Sequence, residues 1–125
     1  MRLLLDTHIY LWWLMDSPRL PERARAMIMA ASEVYVSSAS IWEATIKVGI
    51  GKLEADVNAL VAAIAQSGFQ ELPVTASHAA TVMQLSELDR DPFDRMLVAQ
   101  AISEPLRFVT TDAVLKGYSE LVEVV

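Results

Sequence analysis

The chain contains no cysteine, which excludes disulfide frameworks, thiolate zinc sites and cysteine nucleophiles. Its two histidines, His8 and His78, stand too far apart to form a metal-ligand pair at helical spacing. The four glycines are scattered, so there is no Gly/Ser linker and no low-complexity tract. Long apolar runs are missing too. Leu3-Leu4-Leu5 is broken by Asp6 before the roughly 7–15 residues of a signal-peptide core, and no uncharged stretch approaches the ~18 residues of a membrane helix. Positive charge is in deficit, with Lys+Arg 10 against Asp+Glu 16 and a net charge of −6. That balance disfavours nucleic-acid binding through a basic patch. It permits phosphate binding through metal ions, which needs only a local cluster of carboxylates. These absences together predict a cytoplasmic chain with no membrane segment.

What the chain does have is apolar content, 54% over 125 residues, enough for one domain spanning 1–125 with a dense core. Arg2 to Leu5 reads as a buried strand, followed by a helix capped by Thr7 and running to Met15. Pro21 opens a second helix over Glu22 to Ala31, and Val34-Tyr35-Val36 reads as a second strand. Ser40-Ile41-Trp42-Glu43 has capping-box spacing for a helix to Val48, and Glu54 to Gln66 carries a helical apolar face. Further elements are a strand over Phe69 to Leu72, a helix over Thr75 to Leu88 and another from Asp91-Pro92 to Ser103. Strands over Arg107 to Thr110 and Leu121 to Val124 flank a helical turn over Asp112 to Gly117. Strands alternating with helices predict an α/β fold of three α/β/α layers, with a mainly parallel sheet of about five short strands.

Asp6 directly follows the first strand and Asp112 the fourth. In a parallel sheet, these strand ends are where ligands bind. Asp94 precedes Leu97, Val98 and Ala101 by three, four and seven residues, and Glu43 precedes Ile46 and Ile50 by three and seven. Both carboxylates therefore lie on or beside an apolar helix face. If the four converge, mutual repulsion opposes their ionisation unless a cation intervenes. Hard oxygen donors point to Mg²⁺ or Mn²⁺, and such ions support hydrolysis of phosphodiesters. Each acid also has a local reading. Glu43 completes a capping box with Ser40 or pairs with Lys47, and Asp91 caps the helix at Pro92. Asp94 can be that helix's acidic third position, Asp112 can cap its own turn, and Asp6 can simply end a strand.

The segments Leu3-Leu4-Leu5-Asp6-Thr7-His8, Ser40-Ile41-Trp42-Glu43, Asp91-Pro92-Phe93-Asp94-Arg95 with Leu97-Val98-Ala99-Gln100-Ala101, and Thr110-Thr111-Asp112 occur in this order. In this the chain resembles PIN-domain ribonucleases, specifically the VapC-type toxins of toxin–antitoxin pairs, over essentially its whole length. The resemblance implies a parallel sheet between helices and a pocket binding Mg²⁺ or Mn²⁺. Asp6, Glu43, Asp94 and Asp112 match the catalytic positions. Asp6, Asp94 and Asp112 would be metal ligands, Glu43 would hold or orient the attacking water, and Thr111 and Asp91 would be supporting residues. Similar proteins often carry a histidine shortly before Asp-Pro-Phe-Asp, where this chain has Leu88-Asp89-Arg90.

The implied reaction is cleavage of tRNA, rRNA or mRNA by metal-activated water, leaving a 5′-phosphate and a 3′-hydroxyl. The implied partners are a VapB-type antitoxin and a second copy of the chain, within a larger toxin–antitoxin assembly. The adjacent Trp12 and Trp13 point about 100° apart on one helix, so both are hard to bury. An exposed tryptophan with Tyr10 or Met15 would form a groove for a protein partner. His8 reads as a packed or half-exposed helix residue, and Arg95, Lys47, Lys52 and Arg90 as surface charge or phosphate contacts. A PIN-like module that docks RNA or protein without cutting is the competing class. A phosphatase is disfavoured because position 8 is His rather than a second Asp.

Overall fold

The apolar runs pair side by side into one sheet. In the computed structural model, which describes residues 1–125, β1 (Arg2–Leu5), β2 (Glu33–Ser37), β3 (Gln70–Leu72), β4 (Arg107–Thr110) and β5 (Val122–Val124) lie in the order β3-β2-β1-β4-β5. Every neighbouring pair is parallel. The connections are helical: α1 (Thr7–Leu14), α2 (Glu22–Ala30), α3 (Ser38–Gly49), α4 (Val57–Gln66), α5 (Ala76–Thr81) and α6 (Pro92–Ser103). Short 3₁₀ turns occupy Val82–Gln84 and Ala113–Tyr118.

Strand alternation divides the core in two. Leu3, Leu5, Val34, Val36 and Val109 face Ile9 and Tyr10 of α1, Ala24 and Ile28 of α2 and Ile64 of α4. Leu4, Leu72, Phe108 and Val122 face Leu97, Val98 and Ala101 of α6. A sheet covered on both sides explains why its strands read as continuous apolar runs, and it bears out the three-layer architecture. No helix is long and apolar enough to cross a membrane.

Several element starts differ from the sequence reading, each because a different side chain caps. Asp6 rather than Thr7 caps α1, its carboxylate accepting from the Thr7 amide. Thr7 instead turns inward and donates to the Ser40 hydroxyl at 2.9 Å. That leaves Ser37 to cap α3, which begins two residues before Ser40, so there is no Ser40–Glu43 capping box. Asp56 caps α4, which starts at Val57 instead of Glu54, and Pro21 is the cap residue itself, one position ahead of α2. The helix expected over Thr75 to Leu88 ends at Thr81 and passes into the 3₁₀ turn. Beyond it the carbonyls of Val82, Ser86 and Asp89 accept from the Arg95 guanidinium, which competes with helical hydrogen bonding.

Candidate active site

The connection from β1 leads to β2 on one side, whereas β4 pairs on the other side of β1. The carboxyl ends of β1 and β4 therefore flank the topological switch point, where the loops part and leave a crevice. Asp6 follows β1 and Asp112 follows β4, so their placement is a consequence of strand order. Asp94 enters from the first turn of α6 and Glu43 from the second turn of α3.

Asp6 is 7% exposed and is held by two donors. The Thr110 hydroxyl donates to one carboxylate oxygen and the Thr7 amide to the other, each at 2.7 Å. Burial raises its pKa, the two hydrogen bonds oppose that, and the charge of Glu43 adds to it. Glu43 is also buried, and Lys47 one turn on pairs with it at 3.0 Å. Asp94 is pushed up to about 8, first by burial, then by a hydrogen bond with Asp89, then by the charges of Asp6, Asp91 and Asp89. Asp89 moves the opposite way, lowered first by the Asp91 amide and then by Asp94. Without a cation, Asp94 is thus the acid that keeps a proton, and Asp89 receives it in a hydrogen bond.

Asp89, Asp94 and Asp112 each bring one carboxylate oxygen within 4.8 Å of the other two. All donors are hard oxygens, the set that suits Mg²⁺ or Mn²⁺. The residues present therefore fit a hard divalent cation. Of the four expected acids, only Asp94 and Asp112 belong to this trio; Asp94 feels the charge of Asp6, and Asp6 that of Glu43.

The supporting residues fall differently. Asp91 caps α6, accepting from the amides of Phe93 at 2.8 Å and Asp94 at 3.4 Å. Thr111 is exposed. The hydroxyl inside the site is Thr110's, which also accepts from the Asp112 amide at 3.1 Å. Alternation explains the switch: Thr110 is the last strand residue and points in, Thr111 points out. Sequence reasoning misses Asp89. The signal that could have found it is chemical, an acid standing where similar proteins carry a histidine. His8 is exposed, with its ring tilted against that of Trp12 at 5.8 Å between centroids. Trp12 and Trp13 are both only partly buried, Tyr10 is fully buried and Met15 is exposed. Trp42 is 64% exposed, with its ring edge-on to Phe93 at 5.2 Å.

The PIN domain family profile matches residues 3–121. Ribonuclease VapC22 of Mycobacterium tuberculosis is 31% identical over 123 residues, covering 92% of this chain and 90% of that protein. Among solved structures, VapBC2 from Rickettsia felis, bound to a DNA fragment from its promoter, superposes with a TM-score of 0.71 at 18% identity. That match covers 98% of this chain and 96% of the other. FitAcB from Neisseria gonorrhoeae gives 0.63 at 23% identity, covering 90% and 89%. A toxin–antitoxin complex from Klebsiella pneumoniae gives 0.61 at 18%, covering 97% and 98%. At those identities the structural matches speak for the fold, and the profile and the curated relative speak for the family. The chain belongs to the PIN-domain family, with VapC-type character.

Proposed function

We propose that this chain is a divalent-metal-dependent endoribonuclease toxin, a single domain over residues 1–125 that acts in the cytoplasm and is held inactive by a VapB-type antitoxin. The observation that carries the reading is the cluster of carboxylates at the β1/β4 switch point, supplied by separate elements. The choice of RNA is supported by the curated relative, a ribonuclease by name. The antitoxin is supported by fold neighbours solved as toxin–antitoxin complexes.

Asp6, Asp94 and Asp112 would hold Mg²⁺ or Mn²⁺. When bound, such an ion polarises a phosphate oxygen and lowers the pKa of water. Asp6 cannot swing away, because the Thr110 hydroxyl and the Thr7 amide fix both of its oxygens. Asp112 is fixed from its backbone side by Thr110, and its carboxylate accepts from the Val114 amide. Glu43 would hold or orient the attacking water, and Lys47 pairs with its carboxylate at 3.0 Å.

Two surfaces support the partner assignments. A groove of about 360 Å³ beside α1 is lined by His8, Trp12, Met15, Arg19, Lys47 and Lys52, and its mix of aromatic and basic groups suits a protein partner. Trp42 and Ile46 of α3 and Ile50 at its C-cap recur every four residues as an exposed apolar stripe, which suits pairing with a second copy.

Cleavage of total RNA by antitoxin-free protein tests the reading. Mg²⁺ or Mn²⁺ should support cutting that EDTA abolishes, and Asp6→Asn and Asp94→Asn should each remove it while the fold survives. Undiminished cutting by either variant overturns the site. Folded wild type that binds RNA but never cuts it makes the chain a docking module.

A further inference from the structure

Asp89 stands in the irregular segment between the 3₁₀ turn and α6, which has no regular backbone pairing of its own. Its position is nonetheless over-determined. The Tyr118 hydroxyl accepts from the Asp89 amide at 2.8 Å and donates to the Asp89 carbonyl at 3.1 Å. One phenol oxygen thereby ties both backbone polar groups of a single residue. The same oxygen accepts from Arg95 Nη1 at 3.1 Å, so its one proton and both lone pairs are used. Arg95 Nη1 also reaches the carbonyls of Ser86 at 2.9 Å and Asp89 at 3.3 Å, and Nη2 that of Val82 at 3.4 Å. The guanidinium stands 6.0 Å from the centre of the Tyr118 ring. Gly117 leaves room for Leu88, whose Cδ1 would lie 2.6 Å from a Cβ placed there.

The covalent context makes this more than loop packing. Arg95 adjoins Asp94 on the first turns of α6. Tyr118 ends the 3₁₀ turn that Asp112 caps. One two-residue brace therefore fastens Asp89 to the very segments that present Asp94 and Asp112. Arg95 makes no ion pair with a carboxylate, since its hydrogens go to carbonyls and the phenol. Positive charge is brought beside the trio without occupying an oxygen that a cation would use.

We propose that Arg95 and Tyr118 are positioning residues that seat Asp89 in the carboxylate trio, making Asp89 a ligand-bearing member of the divalent-cation site. The inference rests on the metal-dependent reading above and extends it to residues outside the four expected acids.

Mn²⁺ binding by the full antitoxin-free chain, read from loss of the free-ion electron paramagnetic resonance signal, tests it without any substrate. Tyr118→Phe keeps the ring and removes only the hydroxyl. It and Asp89→Asn should each weaken Mn²⁺ binding by roughly tenfold, as loss of an outer-shell partner or one ligand typically does. Combined, they should be no weaker than Asp89→Asn alone, because the phenol acts through that carboxylate. Arg95→Lys keeps the charge but loses the fork, and should follow Tyr118→Phe. A merely structural phenol would lower the unfolding temperature in EDTA and leave Mn²⁺ affinity unchanged, which overturns the proposal. Losses that multiply in the double variant overturn it too. Asp94→Asn is the control. If it abolishes binding while Tyr118→Phe and Asp89→Asn do not weaken it, the brace is wrong and the metal site stands. If wild type takes up no Mn²⁺, the metal-dependent reading falls and the brace with it.

Discussion

Replacing Asp94 by Asn should stabilise the metal-free protein, and the gain should grow with pH. Asp94 titrates at about 8 in the fold against an ordinary value of 3.8. The native state thus keeps a proton that the unfolded chain releases. Below about pH 4 both states are protonated and the favourable contribution is complete. As the pH rises toward 8 that contribution is progressively lost. Taken whole, about four pKa units at 1.36 kcal/mol each would be roughly 5–6 kcal/mol. The carboxylate is only half-buried, so solvent screening cuts this to about 2 kcal/mol. Asparagine carries no charge at any pH, and its amide can donate to Asp89 as the protonated acid does. Urea unfolding in EDTA should show the variant and wild type close together near pH 5. By about pH 9 the variant should lead by about 2 kcal/mol, or several degrees in Tm. Saturating Mg²⁺ should reverse the order, because only wild type has the charge to bind it. A gap that is flat with pH, or wild type gaining on the variant as pH rises in EDTA, refutes the reasoning.

Other changes separate chemistry from scaffold. Glu43→Gln should abolish RNA cleavage yet retain Mn²⁺ binding, checked by gel assay beside metal titration. Thr110→Val keeps the shape but removes a donor to the buried Asp6 carboxylate. It should cost about 1–3 kcal/mol of stability and weaken metal binding, read by urea unfolding and Mn²⁺ titration. Gly68 has φ +78 with nothing within 4 Å of where a Cβ would stand, so Gly68→Ala should cost about 1 kcal/mol from backbone strain alone, with cleavage unaffected.

The layers of the fold were legible because they depend on local pattern. Short apolar runs of strand length, punctuated by Pro21, Asp91-Pro92 and Pro105, can bury both faces only between helices. Element starts were less legible, because several polar residues competed for each cap. Asp6 outdid Thr7, and Ser37 outdid Ser40, once Thr7 and Ser40 had bonded each other across 33 positions. Asp89 was invisible to periodicity, since it belongs to no regular element and is fixed by Tyr118, 29 residues away.

The sequence by itself determined the class of fold and singled out Asp6, Glu43, Asp94 and Asp112 as candidates with hard-oxygen donors. These follow from residue type and from spacing along one helix or strand. Tertiary structure alone decided that β1 and β4 lie side by side, which turns two distant strand ends into one crevice. It chose Thr110 over Thr111 as the hydroxyl partner of Asp6 and brought Asp89 beside Asp94 and Asp112. The reason is physical. Burial and charge repulsion act through space at a few ångströms, and chain spacing carries that information only within a single element.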